Sequence, residues 1–300
     1  MANLPDTAAM SVTAMSPNMN DMITAHLRRC RGANLSERTI TDRGELLERL
    51  DRDLPLGLVD ATTEDLEDWL AQAGPVGTRG RCPWSAQTRG TYYTHIVGFF
   101  RDMAGRIGHD PSAGLMRPKV EAGLPRPATE DELQQALTLL APPWDLYVML
   151  AAYAGLRSCE VAALDRRHVN ADELAVHQGK GGKSRIVETH PDLWRRMRAI
   201  PPGPIALLGS GRVMTAYQMS SRMAYRFDKI GMPDITMHRF RSRFATMLLR
   251  PKELGGAGAD LLTVSILMGH ANPNTTKIYA LVTSEQRRLA VNALPAPAPC

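Results

Sequence analysis

The sequence predicts a mainly α-helical chain of two domains, with one small β-hairpin in the second. Three observations predict it. Helix-opening residues recur ahead of runs whose apolar positions lie three and four apart, a Pro- and Gly-rich stretch without periodicity (111–126) separates two such regions, and one segment (173–188) alternates instead around GKGGK. With 300 residues, each half is long enough to bury a core of its own.

Taken in order, residues 1–17 (MANLPDTAAMSVTAMSP) are small, polar and aperiodic, and read as a flexible tail. From 18 to 110 the pattern is helical. Asn20 or Asp21 opens a first helix, Ser36 with Thr39 a second whose Leu46, Leu47 and Leu50 face one way, Thr62 with Asp65 a third, and Ser85 a fourth. Four short helices with compact connections make a small bundle. Between the third and fourth, GPVGTRGRCPWS reads as a glycine-rich loop. Its Arg79 and Arg81, with Arg89 beyond, form a basic edge suited to phosphates, which fix position without carrying sequence information.

Residues 111–127 read as a linker, in which Arg117 and Lys119 are further candidates for backbone contact. The second domain, 128–294, opens at Thr129 with Glu130, Asp131 and Glu132 in the first turn, where the helix dipole favours acids. PPWDLYVMLAAYAGLRSCEVAALD is an apolar helix that stops at Gly155 and restarts after Arg157. The hairpin follows; its glycines do not meet the G-x-x-x-x-G-K-[ST] spacing of a nucleotide-binding loop, and a strand stands where that loop needs a helix. Helices are expected near 193–200 and 216–229, the second able to present Arg222 and Arg226 to a groove. Residues 295–300 form a Pro-rich tail expected to be disordered.

A net charge of +5 suggests an anionic partner, and the predominance of arginine over lysine suits bidentate phosphate contacts. Four scattered cysteines (Cys30, Cys82, Cys159, Cys300) lack C-x-x-C spacing and point to neither a zinc site nor a disulfide framework. The longest apolar run, 147–156, is too short to span a bilayer. A cytoplasmic protein without membrane partner, metal or cofactor is the expectation.

The chemistry concentrates between His238 and Tyr279. His238 and Arg241, three apart on a helix, address one point; Gly269-His270 follows an apolar helical run, and Tyr279 lies nine residues beyond His270. Two cations, a second imidazole and a phenol need an anion between them to offset repulsion and desolvation. A phosphodiester fills that role and gives the phenol a target.

The elements HRFRSRFAT, MGH and TTKIY resemble, in order, the C-terminal signature of the tyrosine recombinase (phage integrase) family, and Gly155, Leu156, Arg157, Glu160 and Leu164 resemble its G-L-R-x-x-E-x-x-x-L box. The resemblance implies an N-terminal helical core-binding (SAM-like) domain and a C-terminal catalytic domain that close as a clamp on duplex DNA at short core sites. It implies Tyr279 as nucleophile forming a covalent 3'-phosphotyrosine, Arg157 and Arg241 as phosphate-binding arginines, His270 as a further donor, His238 as base and Lys180 as the acid for the leaving 5'-oxygen. Strand exchange would pass through a Holliday junction without metal or ATP. Lys183 and Arg185, in the family's G-K-G-x-K-x-R turn, are expected to touch phosphate, and Glu160, one turn after Arg157, to position the local backbone or the arginine itself. A tetramer on DNA and an accessory protein biasing direction are the implied partners. With 17 residues before the first helix, the arm-binding domain of many phage integrases is not expected. Departures are Arg239-Phe240 inside the H-x-x-R box, Ser242 where a second histidine is frequent, and an insertion-like PKELGGAGAD. A chromosome-dimer resolvase or transposon recombinase of the same family, a type IB topoisomerase, and a silent DNA-binding relative are the alternatives.

Overall fold

The computed structural model describes residues 18–77, 80–120, 125–177 and 184–269, with the side chains of 73–83 excepted. The tails expected at 1–17 and 295–300, together with Arg79, Lys180, Lys183, His270 and Tyr279, lie outside the described residues, and Arg81 is described in its backbone alone. The chain divides into two compact units, 1–122 and 123–300.

In the first unit the helices are α1 (Met19–Gly32), α2 (Glu37–Asp53), α3 (Thr63–Ala71) and α4 (Ala86–Ile107). Each begins where a short polar side chain satisfies an orphan N–H of the first turn. Ser36 accepts from the Thr39 N–H, Thr62 and Asp65 form a reciprocal capping box, and Ser85 accepts from Thr88. The first cap is Asn18 and not Asn20 or Asp21, because its Oδ1 reaches the Asn20 N–H. Leu47, Leu50, Leu66, Ile96, Phe99 and Phe100 are fully buried between the helices. The Arg49 guanidinium sits 5.1–5.5 Å from the ring centres of Trp69, Trp84 and Tyr92, so one cation joins α2, α3 and α4 through their aromatic faces.

The stretch read as a glycine-rich loop is instead an antiparallel hairpin, β1 (Ala73–Gly77) with β2 (Gly80–Pro83), paired Val76 to Arg81 and Gly77 to Gly80. Five- and four-residue strands rich in Gly and Pro carry no alternation to read, so backbone pairing alone reveals them. Residues 111–115 pack into this unit: the Thr63 hydroxyl donates to the Pro111 carbonyl (2.8 Å) and Leu115 is buried.

The second unit is built on α6 (Trp144–Ala154), apolar all round and buried on nearly every side, as a central helix must be. Around it stand α5 (Glu130–Leu139), α8 (Pro191–Met197) and α10 (Met237–Leu249), while α7 (Ser158–Ala163) packs on α9 (Ala216–Lys229) and α11 (Leu261–Met268) follows α10. The second hairpin pairs β3 (Glu173–Val176) with β4 (Arg185–Glu188) in the register Glu173 to Glu188 through Val176 to Arg185. The Tyr147 hydroxyl donates to the Ile205 carbonyl at 3.0 Å, and burial pushes its pKa up to about 12. Among the described residues no helix is long and apolar enough to cross a membrane.

Between α6 and α7 the chain must turn sharply to bring Arg157 to the start of a new helix, and Gly155 does so with φ +64°. A Cβ there would stand 2.5 Å from the Phe244 ring of α10. Gly155→Ala therefore adds left-handed strain to a clash in a packed core, and should cost about 2–4 kcal/mol. Urea unfolding of the variant checks this; a loss below about 1 kcal/mol would mean that the turn relaxes freely.

Candidate active site

A single carboxylate organises the site. Glu160, on α7, is 3% exposed, and three guanidinium groups converge on it. Arg157, at the N-cap of α7, donates its backbone N–H to Oε2 and Nη1 to Oε1, both at 2.8 Å. Arg185, on β4, forks onto both oxygens at 2.8 Å and donates Nε to the Leu267 carbonyl, also at 2.8 Å. Arg241, on α10, brings Nη1 to 3.6 Å from Oε2, donates it to the Gly155 carbonyl, and gives Nη2 to the Met268 carbonyl at 2.6 Å. Burial alone would raise the Glu160 pKa. The Arg185 fork, the Arg157 N–H and the charges of Arg185 and Arg241 outweigh that and hold it down to about 2.

The same contacts finish α11. The last carbonyls of a helix lack intrahelical partners, and cations are favoured at that end. Arg185 and Arg241 take the carbonyls of Leu267 and Met268, and Gly269 ends the helix with φ +63°. A Cβ on Gly269 would meet Arg185 Cδ at 2.9 Å, so the glycine leaves room for the arginine that holds the turn leading to residue 270.

Arg241 is almost fully enclosed, whereas the Arg157 side chain keeps 23% of its surface open to solvent. His238, one helical turn before Arg241, presents an open face while neighbouring atoms strip part of its hydration. That lost hydration, followed by the charges of Arg241 and Arg157, lowers its pKa below the ordinary value. A lowered pKa favours the neutral imidazole, the form that can take a proton.

Of the residues singled out from the sequence, the structure brings Arg157, Arg185, Arg241 and His238 together. Arg89 is half-buried on α4, Lys119 is exposed in the chain after the 3-10 turn 111–114, and Arg222 is exposed on α9. Arg185 differs most from its expected setting as a phosphate contact: its side chain is 7% exposed, and its fork is spent on Glu160. Sequence reasoning gave Glu160 one arginine where the fold supplies three, because Arg185 and Arg241 lie 25 and 81 residues away and no local spacing joins them.

Residues 128–286 match the model of the Phage integrase family, more than half of the chain. The chain belongs to that family. It is a site-specific tyrosine recombinase, an enzyme of DNA strand exchange. Among its relatives is the tyrosine recombinase XerC of Rhodospirillum centenum, 32% identical over 260 residues, which cover 78% of this chain and 72% of the relative. In fold it resembles the Tn1549 transposon integrase in complex with transposon right-end DNA (TM-score 0.68, 17% identity, 92% of this chain and 99% of that one). It also resembles lambda integrase in a tetramer bound to a Holliday junction (TM-score 0.67, 16% identity, 87% of this chain and 80% of that one).

Glu160→Gln removes the charge that three buried or half-buried guanidiniums share. A carboxyl pKa depressed from 4.5 to about 2 contributes roughly 3 kcal/mol that is present above pH 4.5 and lost as pH falls through the folded value. The variant should therefore be less stable by about that amount at pH 7, with the gap to the unsubstituted protein closing between about pH 4.5 and 2. Denaturant unfolding at several pH values reads it, and a gap independent of pH would assign the loss to packing.

Proposed function

We propose that this recombinase is a phage-type integrase that cuts and rejoins duplex DNA at short core sites. The observation that carries the reading is the convergence of Arg157 and Arg241 on Glu160, with His238 one helical turn from Arg241. Guanidiniums held by a buried carboxylate are positioned before substrate arrives, so little reorganisation is needed when charge develops on the non-bridging oxygens of a phosphodiester. Donors of that kind are worth about 3 kcal/mol each in a transition state.

In this reading Tyr279 attacks the scissile phosphorus. The P–O bond to the 5'-oxygen breaks, and a 3'-phosphotyrosine conserves the energy of the phosphodiester, so rejoining needs no ATP. A phenol of pKa near ~10 needs a base, and His238 takes its proton; Lys180 supplies one to the leaving 5'-oxygen, and His270 donates a hydrogen bond to the phosphate. Arg185 serves the reaction through Glu160 and the end of α11 instead of touching phosphate, while Arg79, Arg81, Arg89, Lys119, Lys183 and Arg222 hold the DNA backbone. The first unit acts as the core-binding domain. Four protomers assemble on paired sites in the bacterial cytoplasm, with a directionality protein as accessory partner. A second reading within the family, a chromosome-dimer resolvase, has in its favour the kinship with a bacterial XerC recombinase.

Covalent trapping tests the proposal. Incubated with nicked duplex fragments of its source genome, the protein should form adducts that survive denaturant, linked through Tyr279 to a 3'-phosphate and absent from Tyr279→Phe. An adduct in both proteins would assign the nucleophile elsewhere, and none in either would overturn covalent attack by Tyr279 on these fragments. Trapped sites within a prophage attachment locus favour the integrase, and a single site at the replication terminus favours the resolvase.

A further inference from the structure

Arg239 interrupts the H-x-x-R box with a long cation, and neither the phosphate site nor the helical core has a use for it. On α10 it points away from His238 and Arg241, since 239 and 243 share a face one turn apart. Both arginines of that face meet the first turn of α5: Arg239 Nη2 lies 2.9 Å from each oxygen of Glu132, and Arg243 pairs with Glu130. Arg239 reaches further. Its Nε donates to the Arg126 carbonyl at 3.0 Å, Nη2 to Pro127 at 3.5 Å, and Nη1 to Asp234 at 3.4 Å. Its own backbone carbonyl accepts from the Ala128 N–H at 3.0 Å.

One residue thus fastens three pieces to the first turn of α10: the chain at 126–128 where it enters the second unit, the start of α5, and the turn at 234. Thr236 supplies no side-chain cap to this helix, so the Arg239 contacts hold a helix end that would otherwise fray. Residue 238 lies inside that end. Resting on the recombinase reading above, we infer that Arg239 is a positioning residue, which seats the first turn of α10 against the incoming linker and thereby fixes His238 relative to Arg241 and Arg157.

Two substitutions separate geometry from charge. Arg239→Lys keeps the charge and loses the fork, and Arg239→Gln loses both. In each, the rate of adduct formation on saturating duplex recovered by trapping should fall about tenfold while the Kd for that duplex changes by less than about twofold, the pattern of a group that acts after binding. Without DNA, NMR titration of the His238 imidazole, assigned with His238→Gln, should move upward towards the ordinary histidine value in both variants. The shift in Arg239→Lys reports displacement from Arg241 and Arg157 and not a lost charge. A lower Tm with unchanged adduct rate and unchanged His238 titration would reduce Arg239 to a stabilising ion pair, and a weaker Kd with unchanged saturated rate would make it a DNA contact; either overturns the inference. Should Arg239→Gln fail to fold, Glu132→Gln probes the same seat from α5 and should move both readouts in the same direction. Absence of adducts with the unsubstituted protein would sink the proposed role of Tyr279 alone, because the titration needs no DNA.

Discussion

A charge taken out of water must be matched, and in the second unit that requirement falls on Glu160. An uncompensated carboxylate at 3% exposure would shift its pKa upward and take a proton; with three guanidiniums around it, it stays ionised. The cations come from the N-cap of α7, strand β4 and helix α10, and two of them also hold the carbonyl end of α11. Four segments distant in sequence are thus tied by one side chain and its partners. The arrangement is costly as a device for stability, since an apolar core of the same volume would serve as well. As a device for placing cations it has no apolar substitute.

The division of labour among the arginines follows from their surroundings. Arg241 is enclosed, its donors directed to backbone carbonyls and Glu160, so its guanidinium has a fixed plane. Arg157 has its backbone N–H and one Nη committed and keeps part of its side chain open. Arg185 is committed on every donor group that touches Glu160 and Leu267. The guanidinium fork suits all three tasks, which a lysine, a point charge on a flexible stem, would perform less well. Around them, glycines appear where a side chain has no room: Gly155 beneath Phe244, and Gly269 beside Arg185.

The first unit shows the same economy with a different interaction. There the cation is the half-buried Arg49, matched by the faces of Trp69, Trp84 and Tyr92 instead of a carboxylate, and a second polar knot joins α1 to α4 through His26 and Asp102 at 2.8 Å. Loss of hydration lowers the His26 pKa against the opposing pull of Asp102, to which the ring is bonded through Nδ1.

Much of the fold was legible because its signals are local. The caps at Ser36, Thr62, Ser85 and Thr129 act within three residues, the break at Gly155 follows from one backbone conformation, and the paired strands β3 and β4 lie where the sequence alternates. The grouping of three candidate-site side chains was also written in the chain, since Arg157, His238 and Arg241 sit in short boxes whose helical spacing sets their directions. What only the tertiary structure decided is how those boxes meet. The β1–β2 hairpin, the fork of Arg185 on Glu160, and the fastening of Arg239 to 126–128 and Glu132 all join residues through space, and their energy comes from desolvation and hydrogen-bond geometry that a linear spacing does not encode. Arg185 reads as a phosphate contact because it is a basic residue beside a glycine turn, and only the fold shows its fork on a distant carboxylate.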